Sequence, residues 1–124
     1  MALRVLIVDD NAHFLEAARH LLDRGGVQVV GTASTSAEAL ADAARLRPDL
    51  VLVDVDLGDD SGFDLAHQLT EANGVDPVQV ILISAYPAED LGDLVEASAA
   101  VGFVAKSDLS GDAITALLGS ERDR

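Results

Sequence analysis

Residues 48–62 read PDLVLVDVDLGDDSG. Four consecutive apolar residues, Leu50 to Val53, run straight into Asp54. The run shows no alternation between apolar and polar positions. A strand that is apolar on both faces belongs inside a parallel sheet with helices on each side. A carboxylate closing such a strand is costly to place without a purpose. The stretch therefore predicts a buried strand over Leu50 to Asp54 and a working group at its carboxyl end.

Outward from this strand the pattern repeats. Leu3 to Val8 reads as a first strand, and Asn11 caps a helix running to Arg24. Phe14, Ala18, Leu21 and Leu22 form the inward stripe of that helix, and Gly25-Gly26 stops it. Val27 to Gly31 is a second strand. Ser36 caps a helix through Leu46, with Pro48 after its end. Beyond Asp54, Gly58 to Gly62 is a polar turn. A helix over Phe63 to Ala72 follows, ended by Asn73-Gly74. Val78 to Ile83 is a fourth strand. A helix spans Glu89 to Ala99, and Val101 to Ala105 is a fifth strand. The last helix runs from Ser110 to Leu118. The expected domain is 1–119, with a polar tail over 120–124.

Strict alternation of strands and helices predicts an α/β sandwich around a parallel sheet with right-handed crossovers. In open sheets of this kind, ligands bind beyond the carboxyl ends of the strands. Strand one ends in Asp9-Asp10, strand three in Asp54, and strand four in Ser84-Ala85. Strand five ends in Lys106, the sole lysine of the chain. Three carboxylates, one hydroxyl and that lysine are thus aimed at one edge.

The bulk properties narrow the function. The 124 residues suffice for one core but not for a second folded module. Hydrophobic residues make up 49% and aromatics only 3%, so aliphatic side chains must build the core. There is no cysteine, which excludes disulfides, thiolate zinc sites and a thiol nucleophile. Acidic residues outnumber basic ones 22 to 8, for a formal charge of −14. Such a surface repels nucleic acid and anionic membranes. The apolar N-terminal run is too short for a signal peptide or a membrane span. The expectation is a cytoplasmic protein that binds neither DNA nor membrane directly.

Crowded carboxylates repel, so they need a cation or a retained proton. Magnesium takes oxygen ligands and often shares its sphere with a phosphoryl oxygen. A carboxylate can act as nucleophile and form an aspartyl phosphate. A metal ion and a lysine would neutralise the charge on the transferred oxygens, and a serine hydroxyl can hydrogen-bond one of them. Small Ala85 leaves room for the group.

Four segments carry a resemblance. LIVDD at 6–10, PDLVLVDVDLGDDSG at 48–62, VILISA at 80–85 and GFVAKS at 102–107 match, in this order, the receiver domains of bacterial two-component response regulators. The resemblance spans essentially the whole chain. It implies the flavodoxin-like (βα)5 doubly wound fold known for such receivers, a five-stranded parallel sheet in order 2-1-3-4-5. It also implies roles. Asp54 resembles the phosphoacceptor. Asp10 resembles a direct Mg2+ ligand, with Asp9 holding the ion's waters. Asp56 stands where a backbone carbonyl ligates the metal, and its side chain where dephosphorylation is tuned. Ser84 and Lys106 match the residues that bind the phosphoryl group. Phe103 falls at the aromatic switch position and Gly62 at the glycine after the acceptor loop.

Three departures stand out. Leu57-Gly58 replaces the usual pair ending in proline, which implies a looser acceptor loop. Ser107 replaces the proline usual after the lysine. A cis peptide there would cost about 2.5–4 kcal/mol. Phe103 lacks the hydroxyl of the commoner tyrosine.

Simpler readings exist for each residue. Asp9 and Asp10 suit a helix N-terminus, Ser84 a loop hydroxyl, and Lys106 a solvated surface. Asp59, Asp60 and Asp64 read as a solvated turn. His13, His20 and His67 read as surface residues, and Phe14, Phe63 and Tyr86 as core or rim packing. For Phe103, core and switch roles compete. The joint placement of Asp9, Asp10, Asp54, Ser84 and Lys106 favours the functional reading.

The implied function is a phosphorylation-dependent switch of a phosphorelay, with a histidine kinase or phosphotransfer protein as donor. The output is expected on the face built from the fourth helix, fifth strand and fifth helix. That face would meet an effector domain or protein, or a second copy in a homodimer. Glu89, Asp90, Asp93 and Glu96 on the fourth helix suit a basic partner. The only catalysis expected is of the domain's own phosphorylation and dephosphorylation. One alternative is a phosphorylation-independent binding module of the same fold. Another is a haloacid-dehalogenase-type phosphatase using Asp54 and Asp56. It is disfavoured, because two strand-helix units precede its motif and Asp9-Asp10 would go unexplained.

Overall fold

The computed structural model describes residues 3–58, 60–72, 78–85 and 100–122. Five parallel strands form one sheet: β1 Arg4–Val8, β2 Gln28–Ala33, β3 Leu50–Asp54, β4 Gln79–Ser84 and β5 Gly102–Ala105. Their spatial order is β2-β1-β3-β4-β5, the flavodoxin-like order expected. The helices are α1 Ala12–Arg24, α2 Ser36–Leu46, α3 Gly62–Ala72 and a C-terminal helix Gly111–Arg122. The segments expected to end α3 (Asn73-Gly74) and to form the fourth helix lie outside the described residues, as does Tyr86. No described helix is long and apolar enough to cross a membrane.

Strand alternation sorts the core into two layers. Val5, Ile7, Leu50, Leu52, Ile81, Ile83 and Val104 pack with Ala18 and Leu22 of α1 and with Ile114 and Leu118 of the C-terminal helix. Leu6, Val8, Val51, Val53, Val80 and Leu82 pack on the other face with Ala39 and Ala43 of α2 and Leu65, Ala66 and Leu69 of α3. Side chains of a strand alternate between faces, so the run at 50–53 feeds both layers.

Several boundaries differ from expectation. β2 extends to Ala33, because Val8 pairs with Ala33 after a register shift between Val5 and Leu6. The cap of α2 is Thr35 rather than Ser36, since the Thr35 hydroxyl accepts the Glu38 N–H at 3.1 Å. Leu21 is 44% exposed and leaves the α1 stripe. Phe14, Ala18 and Leu22 follow at i, i+4, i+8, and Leu15 rather than Leu21 completes that face. The C-terminal helix continues past Leu118 to Arg122. The Gly119 within it costs only about 1 kcal/mol.

The acceptor loop carries a short ladder. Asp56–Leu57 pairs antiparallel with Asp60–Ser61. Gly58 turns between them with φ +69°, a conformation that a proline cannot take. The described residues contain no cis peptide, so Lys106–Ser107 is trans and opens a short 3-10 turn, Lys106–Asp108.

Candidate functional site

Sheet register builds the site. Val8 pairs with Val53, which sets Asp9 beside Asp54 one step further along. Asp54 pairs with Ile83, and Ser84 pairs with Ala105, so Lys106 follows at the same edge. Alternation adds a side. Asp9, Asp54 and Lys106 are in phase with Ile7, Leu52 and Val104, which face α1 and the C-terminal helix. Ser84 is in phase with Val80 and Leu82 of the opposite layer.

Asp9, Asp10 and Asp54 offer carboxylate oxygens that all lie within 4.8 Å of one another. Asp9 and Asp54 are buried, whereas Asp10 is exposed. Lys106 Nζ sits 2.6 Å from Asp9 Oδ2 and 3.2 Å from Asp54 Oδ2. The Asp54 contact is a hydrogen bond. The Asp9 contact is shorter, yet Asp9 Oδ2 has no partner of hydrogen-bonding geometry although it is fully buried. The 2.6 Å separation establishes the ion pair. The other oxygens are held by backbone. Asn11 N–H donates to Asp9 Oδ1 at 2.8 Å, and Asp56 N–H donates to Asp54 Oδ1 at 3.2 Å.

Electrostatics follow from burial. Desolvation, aided by the Asp9 charge, pushes the Asp54 carboxyl up to about 6, against the opposing Asp56 N–H and Lys106. Burial works against the charged form of Lys106, but Asp9 and Asp54 outweigh it and raise its pKa.

The donor set fits a hard divalent cation. It offers only oxygens, one of them a buried atom without a directed partner. With all three carboxylates ionised, a single ammonium leaves two negative charges uncompensated. Asp9, Asp10 and Asp54 are the residues that would hold Mg2+.

Ser84 and Asp56 lie at the same edge, and the other expected residues lie elsewhere. Ser84 is 1% exposed. Asp56 is exposed, and its N–H serves Asp54. Phe103 is half-buried against the α2–α3 layer. His13, His20 and His67 are exposed. Gly62 opens α3 in a position where a Cβ would collide with the Asp54 carbonyl oxygen and come within 2.6 Å of Val55 Cα. Sequence reasoning missed Phe14, whose ring centroid lies 4.4 Å from Lys106 Nζ. Its i−4 spacing from Ala18 marked it as packing, and no spacing rule links it to position 106.

Comparison with known proteins agrees with this geometry. The response regulator receiver domain family matches residues 5–117. A protein-glutamate methylesterase/protein-glutamine glutaminase of Hahella chejuensis is 34% identical over 93 residues, which is 75% of this chain and 25% of that protein. The chain thus spans about a quarter of that relative's length. The signal receiver domain of the putative response regulator NarL from Mycobacterium tuberculosis superposes with TM-score 0.82 at 28% identity, covering 99% of this chain and 98% of that one. A Burkholderia pseudomallei response regulator, solved with a phosphorylated aspartic acid, a calcium ion and citrate, gives TM-score 0.77 at 26% identity, covering 94% and 66%. The chain belongs to the response regulator receiver domain family, the receivers of two-component signalling.

Proposed function

We propose that this chain is a phosphorylation-driven signalling switch in which Asp54 accepts a phosphoryl group from a histidine kinase or phosphotransfer protein. The observation that carries the reading is the Lys106 ammonium bridging Asp9 and Asp54 inside a three-carboxylate cluster. The phosphorylated aspartic acid of the Burkholderia relative supports it.

An Asp54 carboxylate oxygen attacks the phosphorus of a phosphohistidine. A P–O bond forms, the P–N bond breaks, and the imidazole leaves with a proton from solvent. Asp54 is suited because its side chain is nearly buried yet ends a strand at the sheet edge. Lys106 already touches Asp54 and offers positive charge to the transferred oxygens. Bound Mg2+ would supply further neutralisation of the same oxygens. The Ser84 hydroxyl and the Asp56 carbonyl complete the set, as phosphoryl partner and metal ligand respectively. Asp9 and Asp10, together with Asp54, would hold the metal.

The added charge shifts a two-state equilibrium read out on the face of the fourth helix, β5 and the C-terminal helix, with Phe103 of β5 at the switch position. An effector or a second copy of the chain reads that face.

The test is an intact-mass spectrum after incubation with Mg2+ and acetyl phosphate, for wild type and Asp54→Ala. One phosphoryl increment that requires both Mg2+ and Asp54 is expected. No increment on folded wild type, with a histidine kinase also failing, would shift the reading to a phosphorylation-independent binding module.

A further inference from the structure

Lys106 has a third neighbour besides its two carboxylates. Its ammonium nitrogen lies 4.4 Å from the centroid of the Phe14 ring, within the range at which an aromatic face attracts a cation. Phe14 belongs to the first turn of α1, packed against the core layer that Val104 shares. The contact therefore joins α1, which follows β1, to the end of β5, and β1 and β5 are not neighbours in the sheet. The Lys106 side chain is 19% exposed, and partial removal from water strengthens the ring's attraction.

The two carboxylates share the ammonium, Asp9 Oδ2 at 2.6 Å and Asp54 Oδ2 at 3.2 Å. Its shorter contact is to Asp9, and that pair lacks hydrogen-bonding geometry. Filling the acidic cluster with a cation repels the ammonium from Asp9. A new phosphoryl group on Asp54 requires the same nitrogen to move toward its oxygens. An aromatic face attracts positive charge without fixing a direction. It can hold the ammonium while its carboxylate partners change.

We propose that Phe14 is a positioning residue that holds the Lys106 ammonium beside Asp54 through the face of its ring, and so sets how fast Asp54 takes up the phosphoryl group. The inference rests on the reading of Asp54 given above. Phe14 touches no reacting atom. It acts through Lys106.

The test uses the full chain with mono-, di- and trifluorophenylalanine installed site-specifically at position 14, beside Phe14→Leu and Phe14→Tyr. Fluorine drains the ring face while nearly preserving ring shape, so a packing role would not follow the series. Phosphorylation rates with acetyl phosphate and Mg2+ are expected to fall stepwise, by about three- to tenfold in all. The tyrosine variant should stay near wild type. A flat series, with thermal melts confirming the fold, overturns the proposal. A second readout needs no phosphorylation. Lys106 is the sole lysine, so its ε-methylene resonance is assignable directly. A ring-current shift is expected in wild type and in Phe14→Tyr, and its loss in Phe14→Leu. Its persistence in folded Phe14→Leu removes the contact and the proposal with it. If wild type takes up no phosphoryl group, the Asp54 reading fails, and the resonance alone then decides whether Phe14 holds the ammonium.

Discussion

Gly62 and Asp54 stand so close that no side chain fits between them. A Cβ on the first residue of α3 would collide with the Asp54 carbonyl, and the Gly62 N–H donates to Val55 O at 3.1 Å. The end of β3 and the start of α3 are therefore one rigid corner, and the acidic site is built on it. Gly58, across the same loop, is different. A Cβ there would lie 3.4 Å from Asp10 Oδ2, ordinary contact, although its φ of +69° disfavours other residues.

Gly62→Ala should lower unfolding free energy by about 2–3 kcal/mol, because backbone rather than a flexible side chain must move. Gly58→Asn should cost under about 1 kcal/mol, since asparagine tolerates left-handed backbone. Urea denaturation of the two variants decides it. Equal costs would contradict the rigid corner.

The pH dependence of the cation-free protein follows from Asp54. Its folded carboxyl is raised from 3.8 to about 6, burial being the first cause and Asp9 adding to it. The native state keeps the proton longer than the unfolded chain does. Stability from this group is full below pH 3.8, and is lost as pH rises to about 6. Asp54→Asn removes the effect and should gain roughly 1–3 kcal/mol at pH 7.5, with little gain at pH 4. Thermal melts in EDTA at the two pH values test the sign. A larger gain at pH 4 would reverse the argument.

A divalent ion bound at Asp9 and Asp54 would compete with Lys106 for the same carboxylates. Lys106→Met should tighten Mg2+ binding, by about tenfold, since no ammonium need be displaced. The same change should slow phosphorylation by about a hundredfold through loss of charge on the transferred oxygens. Mg2+-induced melting shifts and phosphorylation rates, measured side by side, should move in opposite directions. Weaker binding together with slower phosphorylation would show that Lys106 organises the metal site instead of competing with it.

Much of the fold was legible because two periodicities carry it. The strand over Leu50 to Asp54 was bounded correctly, since an apolar run that ends in a carboxylate has a single reading. α1 was bounded by Asn11 and the Gly25-Gly26 stop for similar reasons. The errors fell where neighbours outside the local window decide. β2 reaches Ala33 because β1 pairs with it through a bulge. Thr35, not Ser36, caps α2 because two adjacent hydroxyls are equivalent in sequence and only backbone direction separates them. The loop after Asp54 was expected to be loose because proline is missing. Asp56–Leu57 and Asp60–Ser61 pair there, with Gly58 at φ +69°, a pairing that no local sequence pattern announces.

The sequence by itself determined which residues gather at the sheet edge. Asp9, Asp10, Asp54, Ser84 and Lys106 each end or directly follow a strand, and parallel strands bring their carboxyl ends to one side. Only the tertiary structure decided which of them touch. The phase of alternation sets Asp9, Asp54 and Lys106 toward α1, and the packing of α1 lays Phe14 over the ammonium. Contacts between the first turn of α1 and the end of β5 depend on how a helix crosses a sheet. That crossing is set by side-chain volumes throughout the core, and no local pattern near residue 14 or 106 encodes it.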